Sequence, residues 1–156
     1  MRKVLITLFA IAIVSFISAP ASFGQGAAKN GPDPSLVRDS DLEKDSLHNL
    51  EVARHYFKLR KAYVAALKRC EEIDAGNPTF AKMDEVLFIA GQSSLRLAEN
   101  KGKQKLPKDK TPEQLRTDAR MYLGRLAVGY PESPFAKQAD EDLRALGGPI
   151  PEEKKQ

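Results

Sequence analysis

The sequence predicts an all-α fold in which antiparallel helical hairpins, about five helices in all, stack into a short solenoid. Three observations predict it. Apolar residues recur at steps of three and four in successive segments, no run alternates as a strand would, and one phrase is written twice. "NPTFAKMDEVL" (Asn77 to Leu87) and "YPESPFAKQADEDL" (Tyr130 to Leu143) both place a proline near a Thr or Ser, then "FAK", acidic residues and a leucine.

The first helix is expected from about Ser46 to Leu59, with Leu47, Leu50, Ala53 and Phe57 on one stripe. After a short break at Arg60-Lys61, a second runs to about Ile73 and carries Tyr63, Ala66, Leu67, Cys70 and Ile73. "DAGNP" stops it, because glycine favours a left-handed cap and Pro78 cannot continue a helix. Thr79 is then the expected N-cap of a third helix, from about Phe80 to Ala98, with Met83, Leu87, Ala90, Ser94 and Leu97 as its stripe and Val86 and Ile89 widening it. The lysine-rich "ENKGKQKLPKDKT" breaks the pattern. Thr111 caps a fourth helix with Pro112 at its first position, where a missing N–H is tolerated. Leu115, Ala119, Tyr122, Leu126 and Tyr130 follow until Pro131 ends it. Ser133 and Pro134 start a fifth, bearing Phe135, Ala139, Leu143 and Leu146, and Gly147-Gly148-Pro149 stops the last one.

The 156 residues leave room for one domain, and 42% apolar with 29% charged residues is ordinary for a folded helical chain. Residues 1–24 read as a signal peptide: a basic "MRK", the apolar "VLITLFAIAIVSFIS", and small residues that allow cleavage after Ala21 or after Gly24. The apolar run is shorter than the roughly 20 residues of a membrane-spanning helix, so export is expected rather than anchoring. Residues 25–45 read as a flexible linker, 46–146 as the helical repeat domain and 147–156 as a disordered tail. Loss of Arg2 and Lys3 with the signal reduces 25 basic residues to 23 against 21 acidic ones, a charge of +2 that does not call for nucleic acid. Cys70 is the only cysteine. An intramolecular disulfide is impossible, and no cysteine is placed to take a lipid beside the cleavage region.

The repeated phrase marks a turn between helices and the first turn of the next. Aligning Phe80 on Phe135, a spacing of 55, also brings "YVAALKRCEEI" over "MYLGRLAVGY", so the repeated unit is a hairpin plus its exit turn. A lone hairpin cannot cover its own apolar stripe; a stacked neighbour does. The lysine-rich insert accounts for much of the excess over the roughly 34 residues of a tetratricopeptide repeat. Gly91, in "LFIAGQSSL", costs a helix about 1 kcal/mol against alanine and suits a point where helices approach closely. The stretches "HYFKLRKAYVAALKRCEEIDAGNPTFAKMDEVLFIAGQSSLRLA" and "DARMYLGRLAVGYPESPFAKQADEDLRAL" resemble the tetratricopeptide-like repeats of outer-membrane assembly lipoproteins of the BamD type, over about Leu47 to Leu146. That resemblance implies a non-catalytic protein-binding role in the bacterial envelope, with outer-membrane proteins or their assembly machinery as clients.

Chemistry has little to work with. His48, Glu51 and His55 share one helical face, but no further histidine exists to complete a metal site, and they are expected to be solvent-facing polar residues at a helix start. Cys70 lies within an apolar stripe, which predicts a core residue rather than a nucleophile. No catalytic residue, metal ligand or cofactor is therefore assigned, and no binding residue is named; Tyr56, Tyr63 and Tyr122 are expected in or beside the core. Lys101, Lys103, Lys105, Lys108 and Lys110 are the sharpest charge feature, readable as a solvated loop or as a weak contact to anionic membrane. The expected protein is exported and non-lipidated. It is periplasmic or at the periplasmic face of the outer membrane, and binds proteins or extended peptides. A scaffold for cell-wall synthesis or division, and an envelope enzyme or metal-binding protein, are the alternatives. The segment Ser133–Leu146, with Asp140, Glu141, Asp142 and Arg144, is expected to be a polar C-terminal cap, while the first helix is expected to meet a partner, another copy, or the segment around Leu36 and Leu42.

Overall fold

A computed structural model of the chain describes residues 39–150. The signal segment 1–24, most of the expected linker and residues 151–156 lie outside the described residues. Within them the fold is all-helical: α1 (Ser40–Arg54), which continues into a π-helical turn (His55–Arg60), α2 (Tyr63–Gly76), α3 (Met83–Ala98), α4 (Pro112–Gly129) and α5 (Ala136–Ala145). Each helix packs chiefly on its neighbours in sequence. No described helix is long and apolar enough to cross a membrane.

Helix α1 begins inside the span expected to be linker. Asp39 Oδ1 accepts from the backbone N–H groups of Asp41 and Leu42, satisfying two donors that a helix start leaves open. Its inward face is shifted from the expected stripe: Ser46, Leu50 and Ala53 are buried, whereas Leu47 is exposed. Ser46 is tolerated there because its hydroxyl accepts from Asn77 Nδ2 at 3.1 Å. The expected break at Arg60-Lys61 is present, closed by Lys61 in the left-handed region at φ 53°. The whole expected stripe of α2 is buried, as is that of α3, whose apolar residues cover nearly the full circumference. Such a helix belongs at the centre of a bundle, and α3 packs against both α2 and α4. Arg54 ties α1 to it through two bonds to Glu85, of 2.6 and 2.5 Å.

Gly91 allows that central packing. A Cβ placed there would fall 2.7 Å from Leu123 of α4, closer than carbon atoms pack. The expected close approach is therefore real, and it lies between α3 and α4.

The repeat is also real in the backbone, but its register differs from the expected one. Asn77 N–H donates to Ile73 O and Tyr130 N–H to Leu126 O; Phe80 N–H donates to Asn77 O and Ser133 N–H to Tyr130 O; Met83 N–H donates to Phe80 O and Ala136 N–H to Ser133 O. Every pair is 53 residues apart. Burial follows the same offset: Ala66 with Ala119, Cys70 with Leu123, Ile73 with Leu126, Val86 with Ala139 and Ala90 with Leu143 are all buried. Phe80 and Phe135 are thus not equivalent. The prolines Pro78 and Pro131 fix the register, and the matching "FAK" triplets are two residues out of phase. Phe135 instead stacks on Phe88, ring centroids 4.7 Å apart.

Helix α3 starts four residues after its expected N-cap, Thr79, and α5 three after Ser133. Thr79 Oγ1 lies 3.4 Å from Asn77 Oδ1 and caps no helix. Ser133 Oγ accepts from Phe135 N–H and donates to Asp84 at 2.7 Å, bracing the turn against α3. The C-terminal segment, expected to bury nothing, folds back as far as Ile150. Gly147 and Gly148 take φ of 89° and 90°, reversing the chain, and Gly148 N–H donates to Leu143 O at 2.7 Å. Arg120 Nε then donates to Gly148 O at 2.8 Å and its Nη2 to Pro149 O at 3.3 Å.

Candidate docking surface

Helix α4 is set by its first turn. Thr111 Oγ1 accepts from Gln114 N–H at 3.2 Å while Gln114 Oε1 accepts from Thr111 N–H at 2.8 Å, and Pro112 follows the cap. Leu115, Ala119, Tyr122, Leu123 and Leu126 then face inward. Steps of four, three and four put Thr117, Met121, Gly124 and Val128 on one outward stripe. Met121 is 41% exposed and Val128 80%, and Ile150 of the returning segment, 39% exposed, stands beside them.

These residues line a groove of about 690 Å³. Arg120, Pro149 and Ile150 form one wall; Asp118 and Arg125 form the other. Both charges of the second wall are held. Arg125 makes a two-bond pair with Asp74 of α2, at 2.7 Å each, whose hydrogen bonds raise the guanidinium pKa. Asp118 receives Lys110 Nζ at 2.7 Å, and Lys110 also lies 3.5 Å from Glu71. Burial alone would lower the Lys110 pKa, but Asp118 and Glu71 more than offset it and raise it. Burial also pushes the Tyr122 phenol up, helped by Glu71 and Asp118, so it stays neutral.

On α2 the 53-residue counterparts of Met121, Gly124 and Val128 are Lys68, Glu71 and Ala75. Lys68 and Ala75 are exposed, so this face is open on both helices, but on α4 it carries large apolar side chains.

The residues singled out by sequence scatter. His48 and His55 are exposed, Arg60 Nε lies 3.2 Å from His55 Nε2, and no group of three or more metal-ligating side chains assembles among the described residues. Cys70 is buried, and burial pushes its thiol pKa far up, which removes the thiolate a nucleophile needs. Tyr63 and Tyr122 are core residues and Tyr56 is half-buried.

The lysine-rich insert is more ordered in its contacts than a solvated loop. Gly102, at φ 110°, sits against Tyr63 and Lys61 O. Lys103 N–H donates to Lys61 O, and Gln104 Oε1 accepts from the N–H groups of Val64 and Ala65 at 3.0 and 3.3 Å. A distant side chain thereby caps α2, whose own preceding residue, Ala62, has no side-chain oxygen to do so. Lys101 pairs with Glu99 at 2.8 Å and Lys110 with Asp118 and Glu71, which leaves Lys103, Lys105 and Lys108 as the exposed cations of the loop. Sequence reasoning missed both the Gln104 cap, which has no periodic signal, and the α4 groove. The outward spacing of Met121 and Val128 on an otherwise polar face was the available clue to the groove. Comparison with known proteins gives no match: no family model, no curated protein and no solved structure is similar to this chain.

Proposed function

We propose that this chain is a non-catalytic protein-interaction module of the bacterial cell envelope, exported by its N-terminal segment and comparable in role to the BamD-type assembly proteins its repeats resemble. The α4 groove carries the proposal. It is apolar and holds exposed Met121 and Val128, where the matching face of α2 carries Lys68 and Ala75. An apolar row bounded by polar walls is the usual form of a surface that receives another helix. Export is supported by the signal-like residues 1–24. Weak contact with anionic lipid through Lys103, Lys105 and Lys108 is a secondary part of the reading.

The test is site-specific photocrosslinking in living cells, with the probe at Val128 and, as a control, at Lys137 on α5. Capture of barrel-assembly components at Val128 alone supports the assembly role, and capture of wall synthases moves the protein to the scaffold role. Equal capture at both positions, or capture of cytoplasmic proteins, sinks the proposal.

A further inference from the structure

We infer that the α4 groove is a self-association surface, in which a second copy of the chain lays its own α4 antiparallel along Thr117, Met121, Gly124 and Val128. The inference rests on reading the groove as a docking surface and names its occupant.

The stripe is complementary to itself in one direction only. Antiparallel pairing about the midpoint between Met121 and Gly124 sets Met121 of each copy against Gly124 of the other, a long flexible side chain against a position with none. It also sets Thr117 against Val128. Parallel pairing would put Gly124 on Gly124 and leave a gap there, while Met121 met Met121.

The flanking charges are compatible with this arrangement. Antiparallel pairing brings Asp118 close to Arg125 of the other copy on one side, and Arg120 close to Ala127 on the other. Opposite charges meet and no like pair is forced together. Parallel pairing would set Asp118 beside Arg120 of the other copy, so the charges permit either direction and the fit of Met121 on Gly124 decides between them. Both walls are already fixed in place, Arg125 by Asp74 and Arg120 by Gly148 and Pro149, so little side-chain freedom is lost on association. A two-fold pair of this type is isologous and closed, which ends growth at two copies.

Light scattering and sedimentation of the purified chain should give a dimer, and Met121→Glu or Val128→Glu should give a monomer with unchanged helical content, whose unfolding midpoint matches that of wild type diluted until it dissociates. Direction is read by disulfide trapping, and buried Cys70 does not compete. A mixture of Thr117→Cys and Val128→Cys chains should form the mixed disulfide. Val128→Cys alone should not, because its two copies would be about 16 Å apart along the axis, beyond the roughly 7 Å that a disulfide spans. A Val128–Val128 disulfide overturns the antiparallel arrangement. A monomeric wild type whose Val128 still crosslinks to another envelope protein overturns self-pairing but leaves the docking surface standing; a monomer with no crosslink at Val128 overturns both.

Discussion

Asn77 and Tyr130 hold nearly the same backbone conformation, φ −143° and ψ 74° against φ −139° and ψ 58°, each as the residue that closes a helix before a proline turn. The side chains diverge. Asn77 is buried and its Nδ2 donates to Glu43 at 3.2 Å and Ser46 at 3.1 Å, whereas Tyr130 is exposed at the end of the α4 groove. Asn77→Ala should cost about 1–3 kcal/mol, since it leaves buried Ser46 short of a partner. Tyr130→Ala should cost under about 0.5 kcal/mol, as surface changes usually do. Urea unfolding of the two variants side by side checks the contrast.

Gly91→Ala should destabilise the chain although alanine is the better helix former. The propensity gain is about 1 kcal/mol, while forcing a methyl into a packed interface costs about 1–3 kcal/mol. Relief should come from the other side of the contact: the Gly91→Ala cost should shrink in a Leu123→Ala background. Equal costs in both backgrounds would show that the 2.7 Å approach to Leu123 is not what limits position 91.

Gln104→Ala should weaken α2 by about 1 kcal/mol, the usual value of a lost N-cap. Hydrogen exchange at the amides of Val64 and Ala65 is the direct readout, and should quicken there more than in α4. Gly102→Ala should be worse, because its φ of 110° disfavours a side chain and the added carbon would lie 2.7 Å from Tyr63 and 2.9 Å from Lys61 O.

The hydrogen bonds from Arg54 hold the Glu85 carboxyl pKa below the ordinary carboxylate range, with burial opposing. Because the folded value is the lower one, the pair's stabilisation is complete above the unfolded value and is lost as pH falls through the folded one. Glu85→Gln should cost about 1–2 kcal/mol at neutral pH, between exposed and fully buried pairs. The gap to wild type should close as pH drops below about 4. Asp142, whose pKa burial raises, is common to both chains and cancels in the difference.

Lys110 and its neighbours in the insert should separate. Lys110→Gln should lower stability by up to about 1 kcal/mol, for it bridges Asp118 and Glu71 near the surface. Changing Lys103, Lys105 and Lys108 together to Gln should leave the unfolding midpoint unchanged and reduce binding to anionic vesicles. Vesicle binding that survives this change and fails with Lys110→Gln would assign the contact elsewhere.

The sequence made some of this legible and hid the rest for physical reasons. The stripes of α2 and α3 were readable because large apolar residues at helical spacing have one place to go. The phase of α1 was not, since Ser46 is drawn inward by Asn77 from another element while Leu47 is left outside. The duplicated phrase disclosed a genuine repeat, yet letter identity chose Phe80 and Phe135 where backbone geometry chose Pro78 and Pro131. Tertiary placement of polar segments leaves no period to detect: Gln104 beneath α2, and the Gly147–Ile150 return held by Arg120, depend on groups remote in sequence. The groove on α4 was half visible, through Met121 and Val128 at helical spacing, while its walls were not.

The Gln104 contact also sets an order of events. The amide groups that it serves, at Val64 and Ala65, are made some 40 and 39 residues earlier. A chain emerging from a ribosome therefore presents α1 and α2 with one corner unfinished, until the stretch beyond α3 arrives to close it. Stalled or shortened chains that stop at Ala98 would hold the first three helices without that closure, and this is the form in which a protease or a chaperone should find them easiest to seize.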